Sequence, residues 1–103
     1  MTAEAAWHDV GTVTDLADEQ GLAARIGDHD IAVFRDQECL YAVDGRCPHQ
    51  GASLAEGLVR DGILTCPLHA WQFQLAGGTN LDGGPGLCSF PVRQNADRIL
   101  VQV

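Results

Sequence analysis

Lysine is missing from this 103-residue chain: its six basic residues are all arginines, set against fourteen Asp and Glu, for a net charge of −8. A surface of that sign disfavours nucleic acid and anionic membranes as partners. It suits brief docking on basic partners, because opposite charge accelerates encounter, although a merely solvated surface has the same composition. Also missing is any apolar run approaching the roughly 18 residues of a membrane span, so none is expected. The opening Met1-Thr2-Ala3-Glu4-Ala5-Ala6-Trp7 has neither the basic nor the apolar stretch of a secretory leader, so the expected compartment is the cytoplasm. There is no repeat, no low-complexity tract and no linker. The expectation is one domain over residues 1–103 with a modest core.

What the chain does have is a matched pair of short Cys/His segments. Cys47-Pro48-His49-Gln50-Gly51 and Cys66-Pro67-Leu68-His69-Ala70-Trp71 together read C-x-H-x16-C-x2-H. Each arm offers one thiolate and one imidazole, and four such donors in two matched pairs point to metal. A Cys and a His so close in sequence can share the tip of one tight loop. Two facing loops can hold two metals, thiolates on one and imidazoles on the other. The same four residue types also make a two-Cys, two-His zinc site. A zinc finger, however, groups its cysteines and carries its histidines on a helix. Here each arm is mixed, and each Cys-Pro interrupts a helix. Zinc remains the alternative metal.

The remainder reads as short strands. Trp7–Val10 opens the chain, and Thr14-Asp15-Leu16-Ala17-Asp18-Glu19 has the cap and acidic start of a single helical turn. Leu22–Ile26 and Ile31–Arg35 form a hairpin about Gly27-Asp28-His29-Asp30. A turn at Asp36-Gln37-Glu38 leads into Cys39–Val43, and Asp44-Gly45 reverses the chain into the first Cys/His arm. Between the arms, Leu58–Thr65 carries Asp61-Gly62, a hairpin signal. Trp71–Leu75 alternates as a half-buried strand. Gly77–Asn80 turns, and Asp82–Gly86 is a Gly/Pro loop. Phe90–Arg93 and Arg98–Val103 close the chain as a final pair. The expected fold class is all-β: an antiparallel β-sandwich or meander base with a small metal-binding subdomain, about residues 45–71, inserted between strands.

At the two arms the chain resembles Rieske-type [2Fe–2S] ferredoxins, and the resemblance extends over nearly the whole length. It implies one [2Fe–2S] cluster per chain, with Cys47 and Cys66 as thiolates on the inner iron and His49 and His69 as neutral imidazoles on the outer one. In the family the histidines bind through Nδ1 and turn Nε2 toward solvent, so His49 and His69 are expected to form the exit for the electron. Gln50 and Trp71 adjoin them; Trp71 is expected to pack under its loop rather than to make partner contacts. The Gly84-Pro85-Gly86 segment resembles the proline loop that covers the family's cluster. Rieske proteins of respiratory and photosynthetic complexes resemble C-T-H-L-G-C and C-P-C-H-G-S-x-Y. This chain instead has Ala52 and Leu68 at the two disulfide positions, and Trp71 and Phe73 in place of the hydroxyl donors. Loss of donors that stabilise added negative charge places the expected potential at the low end of the range, about −150 mV.

The implied function is that of an electron carrier rather than an enzyme. It would pass single electrons from a flavoprotein reductase to the terminal oxygenase of an aromatic ring-hydroxylating dioxygenase system, as a monomer that docks transiently. A second reading within the resemblance is the small subunit of an NAD(P)H-dependent assimilatory nitrite reductase, working with that enzyme's large subunit. From other classes come a redox or iron sensor and a zinc-stabilised adaptor. The residual cysteines, Cys39 and Cys88, are read as free, partly buried thiols acting as small hydrophobes. A bond between them is the alternative. His8 and His29 are expected at the surface, and Arg46 is either a charge beside the cluster or an ordinary surface residue.

Overall fold

Short aliphatic and β-branched segments separated by turn residues make strands the natural local structure. The computed structural model of the chain describes residues 6–16, 21–36, 39–48, 51, 53–67 and 71–103. Its strands are β1 (Trp7–Thr12), β2 (Gly21–Ile26), β3 (His29–Asp36), β4 (Cys39–Asp44), β5 (Leu58–Arg60), β6 (Ile63–Thr65), β7 (Gln72–Gln74), β8 (Ser89–Phe90), β9 (Val92–Asn95) and β10 (Arg98–Gln102). They pair antiparallel in three sheets, ordered β1-β10-β9, β2-β3-β4-β8 and β5-β6-β7. The helical pieces among the described residues are two 3-10 turns, Val13–Asp15 and Leu54–Glu56. The all-β architecture expected from the sequence is the one found.

The middle sheet is covered on both faces, and its sequence shows why. Side chains alternate faces along a strand. In β3, Ile31 and Val33 enter one buried cluster with Leu16, Ala42, Ile99 and Val101, which lies between the middle sheet and the β1-β10-β9 sheet. Ala32 and Phe34 enter a second cluster with Val43, Leu54, Val59, Leu64, Phe73, Leu75 and Leu87, shared with the β5-β6-β7 sheet. The unbroken apolar run Ile31–Phe34 is thus a strand buried on both sides. The first cluster makes a sandwich base, and the second seats the smaller sheet on the base's outer face.

Turn chemistry behaves as local rules dictate. Asp61 and Gly62 take φ of 54° and 75°, the two positive values that a two-residue hairpin turn of type I′ needs. The β2–β3 turn is tighter than expected, because only Gly27 and Asp28 are outside the strands and His29 begins β3. The helical turn expected at Thr14–Glu19 is found as a 3-10 turn one residue earlier; Thr12 precedes it without a side-chain cap bond, and Ala17, Asp18 and Glu19 lie outside the described residues. Gln37 and Glu38 of the next expected turn are also outside them.

The closing pair departs from expectation at Pro91. Phe90 pairs with Ala42 in the middle sheet, whereas Val92 pairs with Val101 in the other. Proline has no N–H to continue a ladder, so the chain changes sheets there. The Pro91 carbonyl still accepts from Gln102 N at 2.9 Å. At the far side of the base, Arg98 Nε and Nη2 each lie 2.7 Å from an Asp9 oxygen. That hydrogen bond, with lesser help from Gly11 N, holds the Asp9 carboxyl below its usual value. Its small contribution is present above the ordinary carboxylate range and is lost as pH falls through Asp9's own lower value.

One buried carboxylate ties the base to the smaller sheet. Asp36, only 8% exposed at the end of β3, accepts a hydrogen bond from Gly62 N in the β5–β6 turn. Replacing Asp36 with Ala strands that part-buried donor, and the expected loss is about 1–3 kcal/mol, roughly 4–8 °C in thermal midpoint per kcal/mol. Asp36→Asn keeps an acceptor and should lose less. Calorimetry on the two variants checks both the size and the order, and equal midpoints for wild type and Asp36→Ala would show that the tie is unimportant.

Candidate metal centre

The first Cys/His arm leaves the middle sheet directly after β4. Its neck is closed by a bridge between Arg46 and Ser53 and by Leu54 N donating to Gly45 O at 2.9 Å. Cys47 sits at the base of this loop, 3% exposed. Gly51, at φ 70°, turns the chain back so that its N–H donates to Cys47 O at 2.8 Å. Few residues other than glycine adopt that angle without strain. The Arg46 guanidinium spans the same loop, donating to Gly51 O at 3.1 Å and to Asp30 Oδ2 at 3.3 Å. Arg46 is therefore a clamp on the loop backbone.

The second arm is the connection of the β6–β7 hairpin, whose last register pair is Thr65 with Gln72. Cys66 is 2% exposed, and its N–H donates to Trp71 O at 2.7 Å, closing the loop. The half-buried Trp71 packs on the second core cluster, its ring tilted 58° against Phe73 at 6.5 Å between centroids. Trp71 is thus a support under the loop, as expected.

Both arms place their thiols in one apolar cluster, with Phe34, Leu54, Leu64 and Phe73 among its members. His49 and His69 lie outside the described residues, as do Gln50, Ala52 and Leu68. Two buried thiols, each at the root of a loop closed on its own backbone, fit a group that needs thiolates on its inner side. Cys39 and Cys88 are thiols too, but both are exposed rather than partly buried. Cys39 opens β4, and at that strand's other end Cys88 O accepts from Asp44 N while Cys88 N donates to the Asp44 carboxylate. About 17 Å of extended strand separates those ends, too far for a disulfide. The Cys39 side chain beside the Tyr41 phenol, together with burial and the charge on Asp36, raises the Tyr41 pKa. His29 is exposed, whereas His8 is half-buried in β1, where it pairs with Val101.

A family model, the Rieske [2Fe–2S] domain, matches residues 6–90. The chain belongs to that family. It therefore carries a [2Fe–2S] cluster. This Rieske protein is 38% identical over 90% of its length to the ferredoxin component of an alkene monooxygenase system from Xanthobacter autotrophicus, covering 78% of that relative. It is 40% identical over 63% of its length to the ferredoxin subunit of anthranilate 1,2-dioxygenase from Burkholderia cepacia, and spans 60% of that subunit. In fold it matches a structure described as an NADH-dependent nitrite reductase small subunit from Mycobacterium tuberculosis, with TM-score 0.90, 24% identity, and 98% and 97% of the two chains covered. No helix among the described residues is long and apolar enough to cross a membrane.

Sequence reasoning left the Arg46 clamp open, because its partner Asp30 is sixteen positions away. The Asp82 carboxylate accepts from Gln72 N beside the second arm, and Asn80 Oδ1 accepts from Asp82 N, a turn with a local signal, an Asn accepting from the N–H two residues on. The burial contrast among the four cysteines is directly measurable. A water-soluble disulfide reagent should modify Cys39 and Cys88 rapidly in the folded protein, and Cys47 and Cys66 only on unfolding. Cys39→Ser and Cys88→Ser should each remove one fast thiol; fast reaction at all four would contradict the buried placement.

Proposed function

We propose that this Rieske protein is a one-electron carrier of a multicomponent oxygenase system rather than an enzyme in its own right. The observation that carries this reading is the 38% identity along 90% of the chain to a ferredoxin component. In it, Cys47 and Cys66 would hold the cluster as thiolates, and His49 and His69 would hold it as neutral imidazoles. The bound cluster supplies a centre that takes up and gives back one electron at a time. The chain's own residues do the rest. Phe73 and Leu64 keep the thiol side dry. Gly51 and Trp71 close the two loops on Cys47 and Cys66, which fixes where each arm begins.

The whole chain, 1–103, works as one domain in this reading, with residues 45–71 as the inserted cluster-binding part. The donor is a flavoprotein reductase and the acceptor a terminal oxygenase of the aromatic ring-hydroxylating type, each met by a cytoplasmic monomer in transient encounters. The net charge of −8 supports docking on basic surfaces. The fold match to a nitrite reductase small subunit, at 24% identity, speaks for a shared backbone and not for a shared partner.

An EPR-monitored redox titration of anaerobically purified protein tests the assignment. The expected result is a rhombic mixed Cys/His signal with a midpoint near the low end of the Rieske range, about −150 mV. His49→Ala and Cys66→Ser should abolish the signal and much of the fold, because metal binding is coupled to folding. Cys39→Ser and Cys88→Ser should retain it. Zinc in place of iron, or a normal signal in either ligand variant, would overturn the reading. The partner assignment is tested by mixing the protein with a reductase and an oxygenase of this class and following NADH oxidation coupled to product.

A further inference from the structure

Beyond the two arms, the structure holds a buried amide whose position bears on the second of them. Asn80 is 8% exposed and bridges to the backbone of Phe73 in β7. Its Oδ1 accepts from Asp82 N at 2.8 Å, and its Nδ2 donates to Pro85 O at 3.0 Å. The Asp82 carboxylate in turn accepts from Gln72 N at 2.8 Å, and Leu81 N donates to Gln72 O at 2.8 Å. One side chain therefore organises a link from the backbone beside Trp71, through Asp82, to the Gly83–Gly86 segment.

That segment has little rigidity of its own. Gly83, Gly84 and Gly86 carry maximal backbone freedom, and Pro85 has no N–H with which to anchor itself. Yet Gly84 is held close to the indole: a Cβ on it would lie 3.1 Å from Trp71 Cη2, 3.2 Å from Cζ3 and 2.9 Å from Asn80 Nδ2. A side chain there would crowd both the ring and the amide, because the loop is pressed onto them. The ring belongs to the residue whose carbonyl receives Cys66 N. Asn80 thus acts on the second arm through Pro85, Gly84 and Trp71 in turn.

We infer that Asn80 is a positioning residue for electron transfer: it holds the Gly84–Pro85 segment down on Trp71 and so limits water at the second ligand loop. The inference rests on the proposed role of Cys66 and His69 in binding the cluster. Reduction adds one negative charge at the centre, and water stabilises that charge. A loop released from Trp71 should therefore raise the midpoint potential, while the ligands and their spectral signature stay the same.

The test compares wild-type holoprotein with Asn80→Ser, Asn80→Ala and a control, Gln94→Ala, whose amide bonds Ala96 O on an exposed turn of the base. Serine is neutral and can still accept from Asp82 N, but it is too short to reach Pro85, so it separates the loop contact from the local turn. Two quantities are read: the EPR-monitored midpoint, and hydrogen–deuterium exchange of the peptide spanning 81–88. The expected result for Asn80→Ser is exchange several-fold faster than wild type and a midpoint shifted positive, with unchanged g-values; Gln94→Ala should match wild type in both. Should Asn80→Ala fail to fold, Asn80→Ser decides the matter. A lowered thermal midpoint with wild-type exchange and wild-type potential would reduce Asn80 to a structural residue and overturn the inference. Faster exchange without a potential shift would overturn the link to electron transfer. Absence of a rhombic signal in the wild type would instead overturn the cluster assignment, a distinct failure.

Discussion

The alternation of side chains along β3 is the constraint on which both halves of the molecule depend. Ile31 and Val33 complete the core of the sandwich base, and Ala32 and Phe34 complete the floor beneath the Cys/His arms. A strand cannot supply one set without the other, because its period of two sends successive residues to opposite faces. Each large apolar side chain so buried contributes roughly 1.5–3 kcal/mol, against a net stability of about 5–15 kcal/mol for a domain. Damage to this one strand therefore reaches the base and the metal centre together. Asp36, at the end of the same strand, adds a polar tie to the hairpin between the two arms.

Above that floor, loops rather than strands carry the candidate thiolate donors Cys47 and Cys66. Ligands for one centre must converge, and neighbouring residues of a strand point apart. Each arm meets this need with a loop closed on its own backbone, by Gly51 N to Cys47 O and by Cys66 N to Trp71 O. Side chains then brace the loops from outside. Arg46 reaches Gly51 O and Asp30, but its ion pair is solvent-exposed and its charge counts for little. Asn80, by contrast, is buried with both ends of its amide engaged.

Electrostatics bears on the centre through what surrounds it. Phe73 is fully buried and Trp71 half-buried at positions where quinol-oxidising Rieske proteins resemble a pattern with hydroxyl donors. The phenyl ring of Phe73 offers no hydrogen bond to sulfur, and an apolar floor disfavours added negative charge; both effects lower a reduction potential. A net charge of −8 acts at longer range, and charge of this kind bears on the rate of encounter with an oppositely charged surface more than on the strength of any one contact.

The sequence by itself determined whatever depends on neighbours along the chain. The Cys/His spacing, the Asp61-Gly62 turn, the all-β class and most strand positions were legible because ligand loops and hairpins close over a few residues. Where local rules met a tertiary choice, the sequence was silent. Pro91 marked an interruption but not that the chain would change sheets there. The apolar run in β3 did not reveal two separate cores, since burial on both faces erases the alternation that marks an exposed one. The exposure of Cys39 and Cys88, the half-burial of His8, the grip of Arg46 on Asp30 and that of Asp36 on Gly62 were likewise decided only in the folded chain. The last two join residues 16 and 26 positions apart, distances at which the packing of whole sheets decides which side chains meet.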